Sequence, residues 1–157
     1  NIGYFAATQD FQFFSNQSGS GVARPLRFGI GINPSEIYIT TSRNVGISTS
    51  NPTSTLNVNG SFALAYVAKT GTYTATANDY LVDCTSGTFT VTLPTAVGIT
   101  GRVYEIVNSG AGTITVATTS SQTFVNVTAT PTTLSLITAL AKSVRVMSNG
   151  ANWIQLN

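Results

Sequence analysis

Apolar residues along this chain come in short runs that alternate with polar ones at a period of two. The clearest run is 88–93, where Phe89, Val91 and Leu93 share one face and Thr88, Thr90 and Thr92 the other. Residues 102–107 repeat the pattern, with Val103, Glu105 and Val107 on one side and Tyr104 and Ile106 opposite. Further strands are expected at 73–77, 80–84, 113–117, 123–127, 133–137, 143–147 and 153–156. The breaks between them carry turn chemistry. Ser86-Gly87 and Ser109-Gly110-Ala111-Gly112 offer positive φ, and Asn149-Gly150 is a hairpin-turn pair. Residues 137–142 have room for one helical turn and no more. Short strands at this spacing predict an all-β unit over 61–157, an antiparallel sandwich or prism.

The first sixty residues read differently. Their apolar stretches are shorter, at 4–5, 11–14, 26–32, 37–39, 45–47 and 56–58. Turn signals fall at 18–21, 33–35, 42–44 and 50–52. Each stretch can form a strand of only a few residues. Phe11, Phe13, Phe14 and Phe28 still need cover, and packing against identical copies around a symmetry axis is the simplest way to supply it. Packing on the second part, as one monomeric sandwich, is the alternative. We therefore divide the chain into 1–60 and 61–157.

Composition narrows the classes. Charged residues make up 8% of the 157-residue chain, against roughly 25% in ordinary soluble domains. Thr, Ser, Asn and Gln take their place on the surface. Threonine keeps an outer strand face wet without charge repulsion between close copies. With so few lysines to guard strand edges, symmetric closure between subunits becomes an independent expectation. The net charge of +2 comes from dispersed arginines, which is not a nucleic-acid footprint. No apolar run approaches the roughly 18 residues of a membrane span. No signal peptide is recognisable and the chain does not begin with Met, which points to a fragment or processed product. A lone cysteine, Cys84, precludes an intrachain disulfide. Its β-branched flank predicts a buried strand thiol, consistent with assembly in a reducing cytoplasm.

Catalytic constellations are nearly absent. Without histidine there is no Ser-His-Asp or Cys-His arrangement, and no zinc site built on His or several Cys. No phosphate loop occurs. No cofactor and no metal are expected. The five acids are Asp10, Glu36, Asp79, Asp83 and Glu105. Asp79 and Asp83, four apart, would share a strand face and offer either half of a Ca²⁺ site or an acid pair for sugar cleavage. Asn78-Asp79 equally suits an Asx-type turn. Glu105 invites an ion pair with Arg102 or Arg145, within or between chains. Tyr73, Tyr80 and Trp153 are the candidates for stacking a receptor sugar, although Trp153 lies in a final strand that favours core packing.

The stretch Asn44-Val45-Gly46-Ile47-Ser48-Thr49-Ser50-Asn51-Pro52-Thr53-Ser54-Thr55-Leu56-Asn57-Val58-Asn59-Gly60 resembles a segment of phage tail fibres and related viral appendages. There a Gly-Asn-Val-Gly-Ile-Gly-Thr run precedes an Asn-Pro or Ser-Pro turn and then Leu-x-Val-Asn-Gly. This chain departs from it at Arg43 and Ser48, where glycine is usual. Upstream, Phe13-Phe14-Ser15-Asn16 and residues 24–39 are similar to what precedes that segment. From Tyr80 onward, Thr90-Val91-Thr92-Leu93-Pro94, Gly101-Arg102-Val103-Tyr104-Glu105-Ile106-Val107-Asn108 and Asn149-Gly150 before Trp153 resemble a β domain of the same proteins. The resemblance implies a homotrimer, with a shaft-like region over 1–60 and a knob over 61–157. It implies a virion surface appendage that binds other virion proteins and a host-cell glycan or protein, without membrane insertion. Alternatives are a glycan-degrading tailspike fragment, a capsid-decorating minor structural protein, and a bacterial surface adhesin built from such modules.

Overall fold

The computed structural model describes residues 2–4, 11–13, 24–28, 37–125, 130–136 and 142–156. The turns expected at 18–21 and 33–35 and most of the helical turn expected at 137–142 lie outside them, as does Phe14. Among the described residues the chain is all-β, with no helix. It divides into two units, Asn1–Ala63 and Leu64–Asn157.

Among the described residues the first unit contains two sheets. β1 (Ile2–Tyr4) and β2 (Phe11–Phe13) form an antiparallel pair. β3 (Leu26–Phe28), β4 (Ile37–Ile39), β5 (Val45–Ile47) and β6 (Leu56–Val58) form a four-stranded sheet in chain order. The β4–β5 turn closes with Thr40 and Asn44 bonded backbone to backbone at 2.9 Å, while the Thr40 hydroxyl accepts the Asn44 N–H at 3.0 Å. β5 and β6 then run parallel. Parallel neighbours ordinarily need a crossover of about a dozen residues, but strands of three residues are short enough for the 48–55 loop to return directly. Arg43 and Ser48 both take positive φ, 68° and 54°. That is the conformation glycine favours, so two side chains sit where the backbone is strained for an L-residue.

The second unit is built from strand–turn–strand arches. β7 (Tyr66–Lys69) leads to β8 (Tyr73–Thr74), β9 (Leu81–Cys84) to β10 (Phe89–Thr92), and β11 (Val103–Asn108) to β12 (Ile114–Ala117). In each arch the first strand joins one sheet and the second joins the other. β13 (Phe124–Val125), β14 (Thr133–Leu136), β15 (Ser143–Ser148) and β16 (Trp153–Gln155) complete the unit. The six-stranded sheet has the order β13-β16-β15-β11-β9-β7, and the four-stranded one β14-β12-β10-β8.

This corrects the expected antiparallel pairing. β7, β9 and β11 are parallel to one another, as are β8, β10 and β12. Antiparallel pairs occur where β14 meets β12, β15 meets β11 and β16 meets β15. The reason is topological. Successive strands cross to opposite sheets, so same-sheet neighbours are one arch apart and run the same way.

The turns of successive arches stack backbone on backbone. Thr85 N–H donates to Lys69 O at 2.9 Å, and Ser109 and Gly110 N–H donate to Cys84 O at 3.1 and 3.0 Å. A Cβ at Gly110 would lie 2.7 Å from the Thr85 carbonyl, and one at Gly112 would overlap the Gly87 carbonyl. Gly110 and Gly112 are thus required for room, where positive φ was expected; Gly87 does take it, at 86°. Buried Asn108 ties the third arch to β14, its Nδ2 donating to Gly112 O at 2.7 Å and Leu136 O at 2.8 Å.

The core lies between the two sheets of this unit. Val82, Ile106, Val144 and Trp153 meet Val91, Ile114 and Val116 there, all fully buried. Trp153 packs edge-on against Tyr104, with ring centroids 5.6 Å apart. Cys84 lies in the same interior, and burial, with help from the Asp83 charge, pushes its thiol up to about 11.

Candidate functional site

Among the sheets from β3 onward, the described strands set out three faces that bear on contact with other molecules: one on the β3–β6 sheet and two on the second unit. The first belongs to the β3–β6 sheet. Its register sets Leu26, Ile39, Val45 and Leu56 in one row and Phe28, Ile37, Ile47 and Val58 in the next. Alternation puts both rows on one face and Arg27, Tyr38, Gly46 and Asn57 on the other. The apolar face is not folded away: Leu56 is 58% exposed and Ile37 39%. Among the described residues, none of this unit belongs to the buried core cluster. The polar face is tied up locally. Arg27 lies 5.3 Å from the Tyr38 ring, and the Asn57 Oδ1 accepts the Thr53 N–H at 3.3 Å.

The other two are the outer faces of the second unit. On the four-stranded sheet, one row is Thr90, Thr115 and Ser135, and the other is Thr74, Thr92, Ala117 and Thr133. This face is almost wholly hydroxyl. On the six-stranded sheet, Val103 pairs with Met147, Met147 with Ile154, and Ile154 with Val125, a wholly apolar row. Beside it run Arg145, Glu105, Leu81 and Tyr66. Arg145 and Glu105 face each other across the ladder and form an ion pair, Nη2 to Oε2 at 2.9 Å. Of the two partners expected for Glu105, Arg145 takes the role. Arg102 instead donates to Ala77 O at 2.7 Å.

The two aspartates are not brought together on one strand face. Asp79 sits in the turn before β9, where its Oδ2 accepts the Thr76 N–H at 2.7 Å, the Tyr73 hydroxyl at 2.8 Å and the Thr76 hydroxyl at 2.9 Å. Burial pushes its carboxyl up. The Thr76 amide, the two hydroxyls and the Lys69 charge outweigh that, and hold it below the usual carboxylate range. Asp83 lies on the outer face of β9 and accepts hydroxyls from Tyr66 and Ser109. A glycosidase needs two carboxyls facing one sugar; Asp79 lies in a turn and Asp83 on an outer strand face. Among the described residues no three His, Cys, Asp or Glu side chains converge as a metal site.

The aromatic candidates also separate. Trp153 is fully buried, so its indole is out of a ligand's reach in this fold. Tyr73 is half-buried and clamped, its hydroxyl on Asp79 and Lys69 Nζ 3.9 Å from its ring centroid. Tyr80 is half-buried, and its carbonyl accepts the Glu105 N–H at 2.8 Å. Another of the six tyrosines, not one of those singled out from the sequence, is better presented. Tyr66 is 63% exposed on β7, and its hydroxyl donates to Asp83 Oδ2 at 2.9 Å. That hydrogen bond raises the phenol's pKa. β7 itself was not expected, because Tyr66-Val67-Ala68-Lys69 holds a single β-branched residue.

Comparison with family models, with curated proteins and with solved structures finds no match to this chain.

Proposed function

We propose that this chain is a non-enzymatic structural and attachment segment of a viral, phage-type fibre, assembled as a homotrimer on the virion surface. One observation carries the reading. The β3–β6 sheet has a complete apolar face, yet contributes nothing to the chain's buried core. A sheet with one apolar face needs a second layer, and three copies around an axis would supply it from identical surfaces. The sequence pattern at 44–60, which resembles tail-fibre segments, lies on β5 and β6 of that sheet. The non-catalytic part is supported by the carboxylates of the second unit: Asp79, Asp83 and Glu105 each have a protein partner. In this reading the partners are other virion proteins and a host-surface glycan or protein.

Sedimentation equilibrium of the chain at micromolar concentration tests the assembly, with three times the 16.4 kDa chain mass expected. A stable monomer would sink the proposal. Binding to host cells or to a glycan array then separates an attachment role from a purely structural one. Incubation with polysaccharide checks the tailspike alternative, where unchanged chain length is the expected result.

A further inference from the structure

We infer that the outer face of the six-stranded sheet is a second self-association surface, covered by another copy of this chain; this rests on the homo-oligomeric fibre reading. The two outer faces of the second unit have the same task as strands, and both must favour extended backbone. They solve it with different residues. Across β8, β10, β12 and β14 the outward positions are threonine and serine, with Ala117 the one departure. Across β11, β15, β16 and β13 the corresponding row is Val103, Met147, Ile154 and Val125. Strand propensity accounts for either choice. It does not account for a continuous apolar row on one outer face, beside the Glu105–Arg145 pair, where the other face carries hydroxyls.

Charge selects the occupant. The apolar row is flanked by one acid and one base, Glu105 and Arg145, which already neutralise each other at 2.9 Å. Asp83, one strand over, is held by the Tyr66 and Ser109 hydroxyls. Such a face offers no net positive potential to a nucleic acid or an acidic surface, and no strong negative one to a basic partner. A second copy brings the same apolar row and the same opposed pair, so apolar meets apolar and each ion has an opposite charge within reach. An ion pair closed into such an interface fixes register more than it adds affinity.

The test uses the full chain and two kinds of variant. Cys84 is buried, and its thiol is pushed up to about 11, so a new surface cysteine is the reactive one. Met147 lies half-buried on the outer face of β15 and outside the core, so Met147→Cys shortens a surface side chain and is expected to leave the fold intact. Treated with a short bis-maleimide, M147C chains are expected to link copy to copy, while T92C chains on the hydroxyl face stay unlinked. In sedimentation, Val103→Glu with Met147→Glu is expected to weaken association at least about tenfold, and Thr92→Glu with Thr115→Glu to leave it unchanged. Trp153 fluorescence checks that each variant is folded. An assembly that persists in V103E/M147E, with no M147C cross-link, overturns the inference and leaves the fibre reading standing. A wild-type monomer overturns both.

Discussion

The two units draw on the same short strands, the same threonines and the same scarcity of charge, yet they meet the problem of an interior differently. Residues 64–157 fold into two sheets facing each other, and the apolar faces of both disappear into a common core that includes Val82, Ile106, Ile114 and Trp153. In the first unit the β3–β6 sheet has an equally regular apolar face, in two rows, with Leu56 and Ile37 still exposed. The difference is one of layers. An arch that sends alternate strands to alternate sheets supplies both halves of a core from a single chain. A run of consecutive strands that stays in one sheet supplies one half.

The largest test of this contrast is truncation on each side. Trp153→Ala should cost the second unit about 3–5 kcal/mol, because a fully buried indole leaves a cavity. Leu56→Ala, in dilute dissociated chain, should move unfolding by less than about 0.5 kcal/mol, as for an exposed position. Urea denaturation measures both, and similar losses at the two sites would erase the distinction.

Next is the stacking of arches. Gly112→Ala forces a Cβ into the Gly87 carbonyl and should destabilise the second unit by about 1–3 kcal/mol. Gly60→Ala meets nothing within 4 Å and should be near neutral in thermal unfolding. A tolerated alanine at 112 would mean that the turns are not held in contact.

Acid offers a milder probe of the second unit. The folded pKa of Asp79 lies below its unfolded value, so its ionised form stabilises the fold at every pH above the ordinary carboxylate value of about 3.9. That contribution is lost as pH falls through the folded pKa. Unfolding midpoints should therefore drop below about pH 4, and Asp79→Asn should flatten that part of the profile. The smallest expected effect lies in the first unit. Ser48→Gly removes the strain of a side chain at φ 54° but adds unfolded-state entropy, for a net gain of about 0.5 kcal/mol or less.

Much of this was legible in advance. Val91 and Leu93 were expected on one face of a strand and are fully buried, and Tyr104 and Ile106 are buried opposite an outward Val103, Glu105 and Val107. Cys84 is the buried strand thiol its neighbours suggested. Strand direction was not legible, since parallel and antiparallel strands share a side-chain period of two. The glycines at 110 and 112 were visible as turn residues, but their purpose, letting one turn rest on another, depends on a neighbour some two dozen residues away. The Tyr66–Asp83 contact was equally hidden, because it joins strands of successive arches.

What the sequence determined by itself is the local set: extended backbone, short elements, and which side of each strand is apolar. These follow from residue type and a period of two, and need no knowledge of what lies across the sheet. The tertiary structure alone decided which strands become neighbours, which way they run, and that the apolar faces of the second unit meet in a core to which no described residue of the β3–β6 sheet belongs. Those outcomes depend on where each turn sends the chain in space, and the energies that settle them belong to contacts between residues far apart in sequence.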